Sequence, residues 1–156
     1  MEKKANLSEY DFYALAQIHD KRIAIVTAEW NAEITTSMEV ACADTLQKHG
    51  IKAQNIIRLA APGSFELPFV AKQSIKKYEV DAVICLGCII QGETRHFEFI
   101  AQACANGMMQ LGLESNIPVI FGVLTPNTMQ QAIDRAGGKH GNKGVEAAVA
   151  CLKLLV

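Results

Sequence analysis

An imidazole and a guanidinium stand side by side at Arg95 and His96, within the stretch GCIIQGETRHFEF that runs from residue 87 to residue 99. The stretch opens as an apolar strand and places Gly-Glu-Thr-Arg-His where a helix should begin. Backbone N–H groups in a turn that opens a helix can hold a single phosphate, because the first helical turn leaves them unpaired and the helix dipole favours an anion there. A histidine just past such a turn can move protons at neutral pH, its ordinary pKa being roughly 6.5. Gly87 to Thr94 also has the spacing of the nucleotide-binding loop G-x-x-x-x-G-K-[ST], but Glu93 stands in the lysine's place. A carboxylate there repels a triphosphate, so nucleotide hydrolysis is not expected. The plain alternative is a glycine turn with Thr94 as a helix cap and His96 as a solvated residue.

Three other places carry side chains of chemical interest. Phe65 and Glu66, in APGSFELP, offer a carboxylate that can accept paired hydroxyl hydrogen bonds from a polyol, with an aromatic face to cover its carbons. Trp30, the single tryptophan, follows an apolar run and can serve as a platform for a flat heterocycle. Arg135, Lys139 and Lys143 frame the glycine-rich RAGGKHGNKG. Singly, each has a structural reading: a glutamate on a helix dipole, aromatics in a core, cations on a solvated surface. His19 in the leader, His49 before a helix-ending glycine and His140 in the glycine loop fit structural readings better.

The elements that must position these groups alternate along the chain. RIAIVTA (22–28) reads as a strand, followed by a helix on which Ile34, Met38, Ala41, Cys42 and Thr45 recur at helical spacing until Gly50. QNIIRLA leads through Pro62 and Gly63 to a second helix with Leu67, Val70, Ala71, Ile75 and Tyr78 inward and Pro68 in its first turn. DAVICLGCII is apolar throughout, as a central parallel strand covered on both faces must be. Its helix carries Phe97, Ile100, Ala101, Cys104, Met108 and Leu111 on one stripe. PVIFGVL gives a fourth strand, TMQQAIDRA a short helix, GGKHGNKG a break and VEAAVACLKLLV a closing helix. The pattern predicts an α/β protein: a three-layer α/β/α sandwich with a central four-stranded parallel sheet. Ligands of such sheets collect at the carboxyl ends of the strands, where Trp30, PGSFE, QGETRH and TPNT fall.

Composition sets outer bounds. The 156 residues fit one domain (1–156), with residues 1–20 as a polar leader, and half of them are hydrophobic. A formal net charge of -1 gives no electrostatic reason to expect a nucleic acid or an anionic membrane as partner. The five cysteines lie mostly in apolar runs and read as reduced, buried thiols of a cytoplasmic protein. Cys85 and Cys88 spell C-x-x-C, but on a strand that separation turns them to opposite faces, which spoils a shared metal or a disulfide. No stretch approaches a membrane span or a secretory signal.

In order along the chain, Trp30-Asn31, APGSFELP, LGCIIQGETRHFEF and PVIFGVLTPNTMQQAIDRAGGKHGNKGVEAA resemble the 6,7-dimethyl-8-ribityllumazine synthases. The resemblance implies a flavodoxin-like fold and a transferase of riboflavin biosynthesis. That enzyme condenses 5-amino-6-(D-ribitylamino)uracil with 3,4-dihydroxy-2-butanone 4-phosphate, releasing phosphate and water without metal or other cofactor. By matched position, it implies His96 as the proton-transfer residue and Arg135, reaching in from a neighbouring subunit, as the phosphate ligand. Trp30 corresponds to the ring platform, and Ser64, Phe65, Glu66, Ile89, Ile90 and Gln91 to substrate-binding positions. Glu93 and Thr94 correspond to the phosphate turn, and Phe121 and Lys143 to contributions from the neighbour. It further implies a homo-pentamer or an icosahedral 60-mer. Trp30 departs from the commoner phenylalanine, and Gln91 from a basic residue. Two rival readings come from other classes: a flavodoxin-like electron carrier, which would share the fold but wants a hydroxyl-rich loop where this chain has AEWNAEITTS, and a flavin-binding or shell protein without catalysis.

Overall fold

A computed structural model describes residues 5–156, so residues 1–4 of the expected leader lie outside the described residues. Strand β1 spans Ile23–Ala28, β2 Ile56–Ala61, β3 Ala82–Cys88 and β4 Val119–Leu124. They form one parallel sheet in the order β2-β1-β3-β4. The four strands are followed by helices α1 (Ala32–Lys48), α2 (Leu67–Tyr78), α3 (His96–Ser115) and α4 (Met129–Arg135), and α5 (Lys143–Leu154) closes the chain. Every residue of β1 and β3 is buried, which is why both read as unbroken apolar runs.

Alternation along the strands divides the core between two layers. Ile23, Ile25, Ala82, Ile84, Leu86 and Cys88 pack with Met38, Cys42 and Leu46 of α1 and with Ala148, Cys151 and Leu152 of α5. Ala24, Val26, Val83 and Cys85 pack on the other face with Leu67 and Ala71 of α2 and Cys104, Met108 and Leu111 of α3. The α/β/α sandwich expected from the sequence is the observed fold. Cys85 and Cys88 do fall in opposite layers, and all five cysteines are free and buried. Among the described residues, no helix is long and apolar enough to cross a membrane.

Two details differ from the sequence reading. The glycine-rich break is a small antiparallel pair, β5 (Ala136–Gly138) with β6 (Gly141–Asn142), turned by Gly137 and Gly141 at positive φ. Helix α5 then starts at Lys143 rather than Val145, because the Asn142 side chain caps it by accepting from the Gly144 N–H at 2.8 Å. Gly144 lies inside the helix for a packing reason: any Cβ there would run into the Met38 carbonyl of α1, so the two helices meet backbone to backbone. Thr94, in turn, is not the cap of α3. That place falls to Arg95, with no side-chain cap, and the Thr94 hydroxyl accepts only a long 3.4 Å bond from the His96 N–H.

Candidate active site

The sheet order makes its turn between β1 and β3: the chain leaves β1 toward one layer and β2 and β3 toward the other. A crevice opens where those exits diverge. Parallel pairing continues past the strand ends and fixes the loops there. The N–H groups of Glu29 and Trp30 donate to Ala61 and Pro62 at 2.8 and 3.3 Å, and those of Ile89 and Gln91 to Leu124 and Pro126 at 2.8 and 3.0 Å. Asn31, in the left-handed conformation at φ 59, turns the chain into α1 and donates from Nδ2 to the Cys88 carbonyl at 2.8 Å. That bond ties the exit of β1 to the exit of β3.

The loop after β2 closes on the same place. Gly87 has no side chain to hold it off, since a Cβ there would come within 2.5 Å of Ser64 Oγ. Ser64 is consequently buried, while Phe65 remains 56% exposed and Trp30 74% exposed. Large aromatic faces left to solvent at a crevice are unusual enough to mark a surface built to be covered. The resulting cleft encloses about 460 Å³ and is lined by Trp30, Asn31, Ser64, Phe65 and Glu66 on one side and by Ile89, Ile90, Thr94 and His96 on the other. Phe97 and Ile100, read from the sequence as part of the core stripe, form its floor together with Cys88.

Arg95 and His96, adjacent in the chain, part company at the start of α3. One residue of helix turns the side chain by about 100°. His96 lines the cleft, whereas Arg95 points away, pairing with Glu98 at 3.5 Å and lying 5.9 Å over the Phe99 ring. Gly92 also lines the cleft and has open space around it, with nothing within 4 Å of a built Cβ. The first turn of the long helix α3, whose N-cap residue Arg95 makes no side-chain cap bond, therefore opens on the same cavity, and the positive end of the helix dipole favours an anion there. Gln91 and Glu93 are exposed on the same loop outside the lining.

The remaining expected site residues are elsewhere on the chain. Arg135 and Lys143 line a second concavity of about 610 Å³ with Lys139, His140, Thr125 and Gln131. Both are held by one carboxylate: Glu146 Oε1 accepts from Arg135 Nη1 at 2.6 Å, and its Oε2 from Lys143 Nζ at 3.2 Å. Burial pushes the Glu146 carboxyl up, but the Arg135 hydrogen bond and the Lys143 charge outweigh it, leaving the pKa below the ordinary value. Phe121, 39% exposed, lies on β4 in a third, apolar hollow beside Met109 and Leu113 of α3. One chain thus carries an aromatic-lined cleft with a helix start, a separate concavity with two paired cations, and an apolar hollow with Phe121.

The family model for 6,7-dimethyl-8-ribityllumazine synthase matches residues 20–156 of this chain. The chain belongs to the 6,7-dimethyl-8-ribityllumazine synthase family. Its curated relatives include proteins of that name from Cytophaga hutchinsonii, 53% identical over 150 residues covering 96% of this chain and 94% of the relative. Another, from Porphyromonas gingivalis, is 50% identical over 149 residues, covering 96% and 92%. A third, from Parabacteroides distasonis, is 49% identical over 150 residues, covering 96% and 94%. Against this family background, the sequence reading missed Asn31 as the tie across the crevice and Glu146 as the carboxylate between the two cations. The spacing of Lys143 and Glu146, three apart on a helix, was a usable signal. The partnership of Arg135 and Glu146 leaves no periodic trace, because the hairpin separates them.

Proposed function

We propose that this chain catalyses the lumazine synthase condensation: 5-amino-6-(D-ribitylamino)uracil and 3,4-dihydroxy-2-butanone 4-phosphate give 6,7-dimethyl-8-ribityllumazine, phosphate and water. The observation that carries it is the composition of the one cleft, where an exposed indole, a polyol-competent carboxylate, an imidazole and an uncapped helix start face a shared volume of about 460 Å³. The pyrimidine stacks on Trp30, while Ser64, Phe65 and Glu66 receive the ribityl chain and Ile89, Ile90 and Gln91 the ring edge. The phosphate sits at the Glu93–Thr94 turn against the start of α3.

The chemistry suits these groups. The amine attacks the ketone, the carbinolamine loses water to an imine, phosphate leaves, and the ribitylamino nitrogen closes the ring on the remaining carbonyl with loss of a second water, each step moving a proton that His96 can accept or return. Holding both substrates at attack distance supplies much of the acceleration, so the imidazole assists a reaction that positioning already favours.

Arg135, Lys143 and Phe121 complete the cleft from a neighbouring copy, in a homo-pentamer or an icosahedral 60-mer. Two features support a site shared between copies. Arg135 and Lys143 line a concavity that has no residue in common with the cleft, and Phe99, Met109 and Leu113 leave an apolar stripe along the outer face of α3, each more than 60% exposed. A stripe of that kind is a face for another helix or copy. The five buried free thiols suit the cytoplasm. Mixing purified protein with both substrates tests the activity directly. Lumazine absorbance and fluorescence should appear with stoichiometric release of phosphate, and tightly bound yellow flavin with no condensation product would contradict it.

A further inference from the structure

The matched family region begins at residue 20, yet the residues before it are built into the structure at the point that governs Arg135. The segment 5–18 crosses the α1/α5 side of the molecule between two anchors. At the first, the Leu7 N–H donates to the His140 carbonyl at 3.1 Å, and His140 Nδ1 donates to the Ala5 carbonyl at 2.9 Å. Ser8 Oγ donates to Asn6 Oδ1 at 2.8 Å, closing a local turn, and accepts the Asn142 N–H at 3.2 Å. Gly141, at φ 88, fits beneath that turn because a Cβ there would run into Asn6 Oδ1 and Ser8 Oγ. At the second anchor, Tyr10 Oη and His49 Nε2 lie 3.1 Å apart, and Phe12 packs on the same imidazole with ring centroids 4.4 Å apart. The Ile18 N–H donates to the His49 carbonyl at 2.8 Å, and Ile18 itself enters the core.

One atom connects this segment to the phosphate ligand. The carbonyl oxygen of His140 accepts from the Leu7 N–H and also, at 3.1 Å, from Arg135 Nη1. A carbonyl has two lone pairs, so both donors are satisfied at once and each constrains the other. The guanidinium is then fixed from two directions, by Glu146 on its helix side and by the His140 carbonyl on its hairpin side. Only the second of these depends on the amino-terminal segment. Without it, the β5–β6 hairpin loses three hydrogen bonds to residues 5–8, two at His140 and one at Asn142, and keeps its own tie to α4, the His140 N–H donating to the Asp134 carbonyl at 2.9 Å.

We infer that residues 5–8 are a positioning strap for Arg135, acting through the β5–β6 turn to orient the guanidinium toward the phosphorylated substrate. The inference rests on the reading of Arg135 as the phosphate ligand. Ser8→Ala removes one bond of the strap and its turn, while Ser8→Thr keeps the hydroxyl.

In steady-state kinetics, Ser8→Ala should raise the KM for the butanone phosphate about three- to tenfold, the equivalent of one or so hydrogen bonds. The KM for the ribitylaminouracil should not move, kcat should change less than the butanone KM, and Ser8→Thr should restore the wild-type value. Titration calorimetry with inorganic phosphate provides a readout that needs no turnover, and affinity should fall in Ser8→Ala by a similar factor. A lower melting temperature with both KM values and phosphate affinity unchanged would make the strap purely structural and overturn the proposal. If the wild-type protein makes no lumazine, the reading of the active site fails, and the phosphate titration alone then decides the strap: unchanged affinity in Ser8→Ala overturns it too.

Discussion

His96 and Arg135 answer to different physics, and their variants should fail differently. His96 lines the cleft, and in the proposed reaction it moves protons in a step that proximity also drives, so His96→Ala should lower kcat by roughly a hundredfold and still leave measurable turnover. Arg135 is proposed to grip the phosphate, so Arg135→Ala should act mainly on the KM of the butanone phosphate, with the uracil KM nearly unaffected. An unchanged butanone KM in that variant would remove Arg135 from the phosphate site. The pairing of Arg135 and Lys143 with Glu146 explains why two cations can be held close together without mutual repulsion: the shared carboxylate accepts from both. Arg95, despite its place beside His96, points to Glu98 and Phe99 and belongs to the helix surface.

Among the elements, the junction of α1 with the amino-terminal segment carries the clearest pH dependence. His49 is fully buried between Tyr10 and Phe12, and its Nδ1 has no hydrogen-bond partner among the described residues. Burial lowers its pKa from the free-imidazole value of 6.5. In the window between the lowered folded value and 6.5, the unfolded chain binds the proton and the folded chain does not. Stability from neutral His49 is therefore complete above 6.5 and is lost as pH falls through and below that value. Urea midpoints measured between neutral and mildly acidic pH should decline in the wild type, and the decline should be shallower in His49→Phe. Parallel slopes for the two proteins would show that His49 does not titrate on unfolding. Elsewhere, the α1–α5 contact depends on Gly144, a residue whose role as a spacer is invisible until the Met38 carbonyl is placed opposite it.

At the scale of the whole molecule, the proposed sharing of one site between copies, with His96 and Arg135 lining different concavities of each chain, makes a prediction of its own. Co-assembly of His96→Ala chains with Arg135→Ala chains should recover activity well above the sum of the two separate variants. Some shared sites would then combine an intact His96 from one copy with an intact Arg135 from another. Activity no greater than that sum, in oligomers shown by mass to contain both chains, would place each site within a single copy.

The sequence by itself determined the layered fold, because burial of β1 and β3 on both faces demands unbroken apolar runs and the covering helices demand their own period. It also determined which loops meet at the cleft, since strand exits in a parallel sheet lie at one edge, and it placed Trp30, Phe65, Glu66 and His96 there. Tertiary structure alone decided the direction of side chains where an element starts or stops: the parting of Arg95 from His96, the shift of the α5 start to Lys143, and the pairing of β5 with β6. It alone also joined Leu7 to the His140 carbonyl and Arg135 to Glu146. Such contacts depend on distances across turns and between helices, which leave no periodicity in the chain for a reader to find.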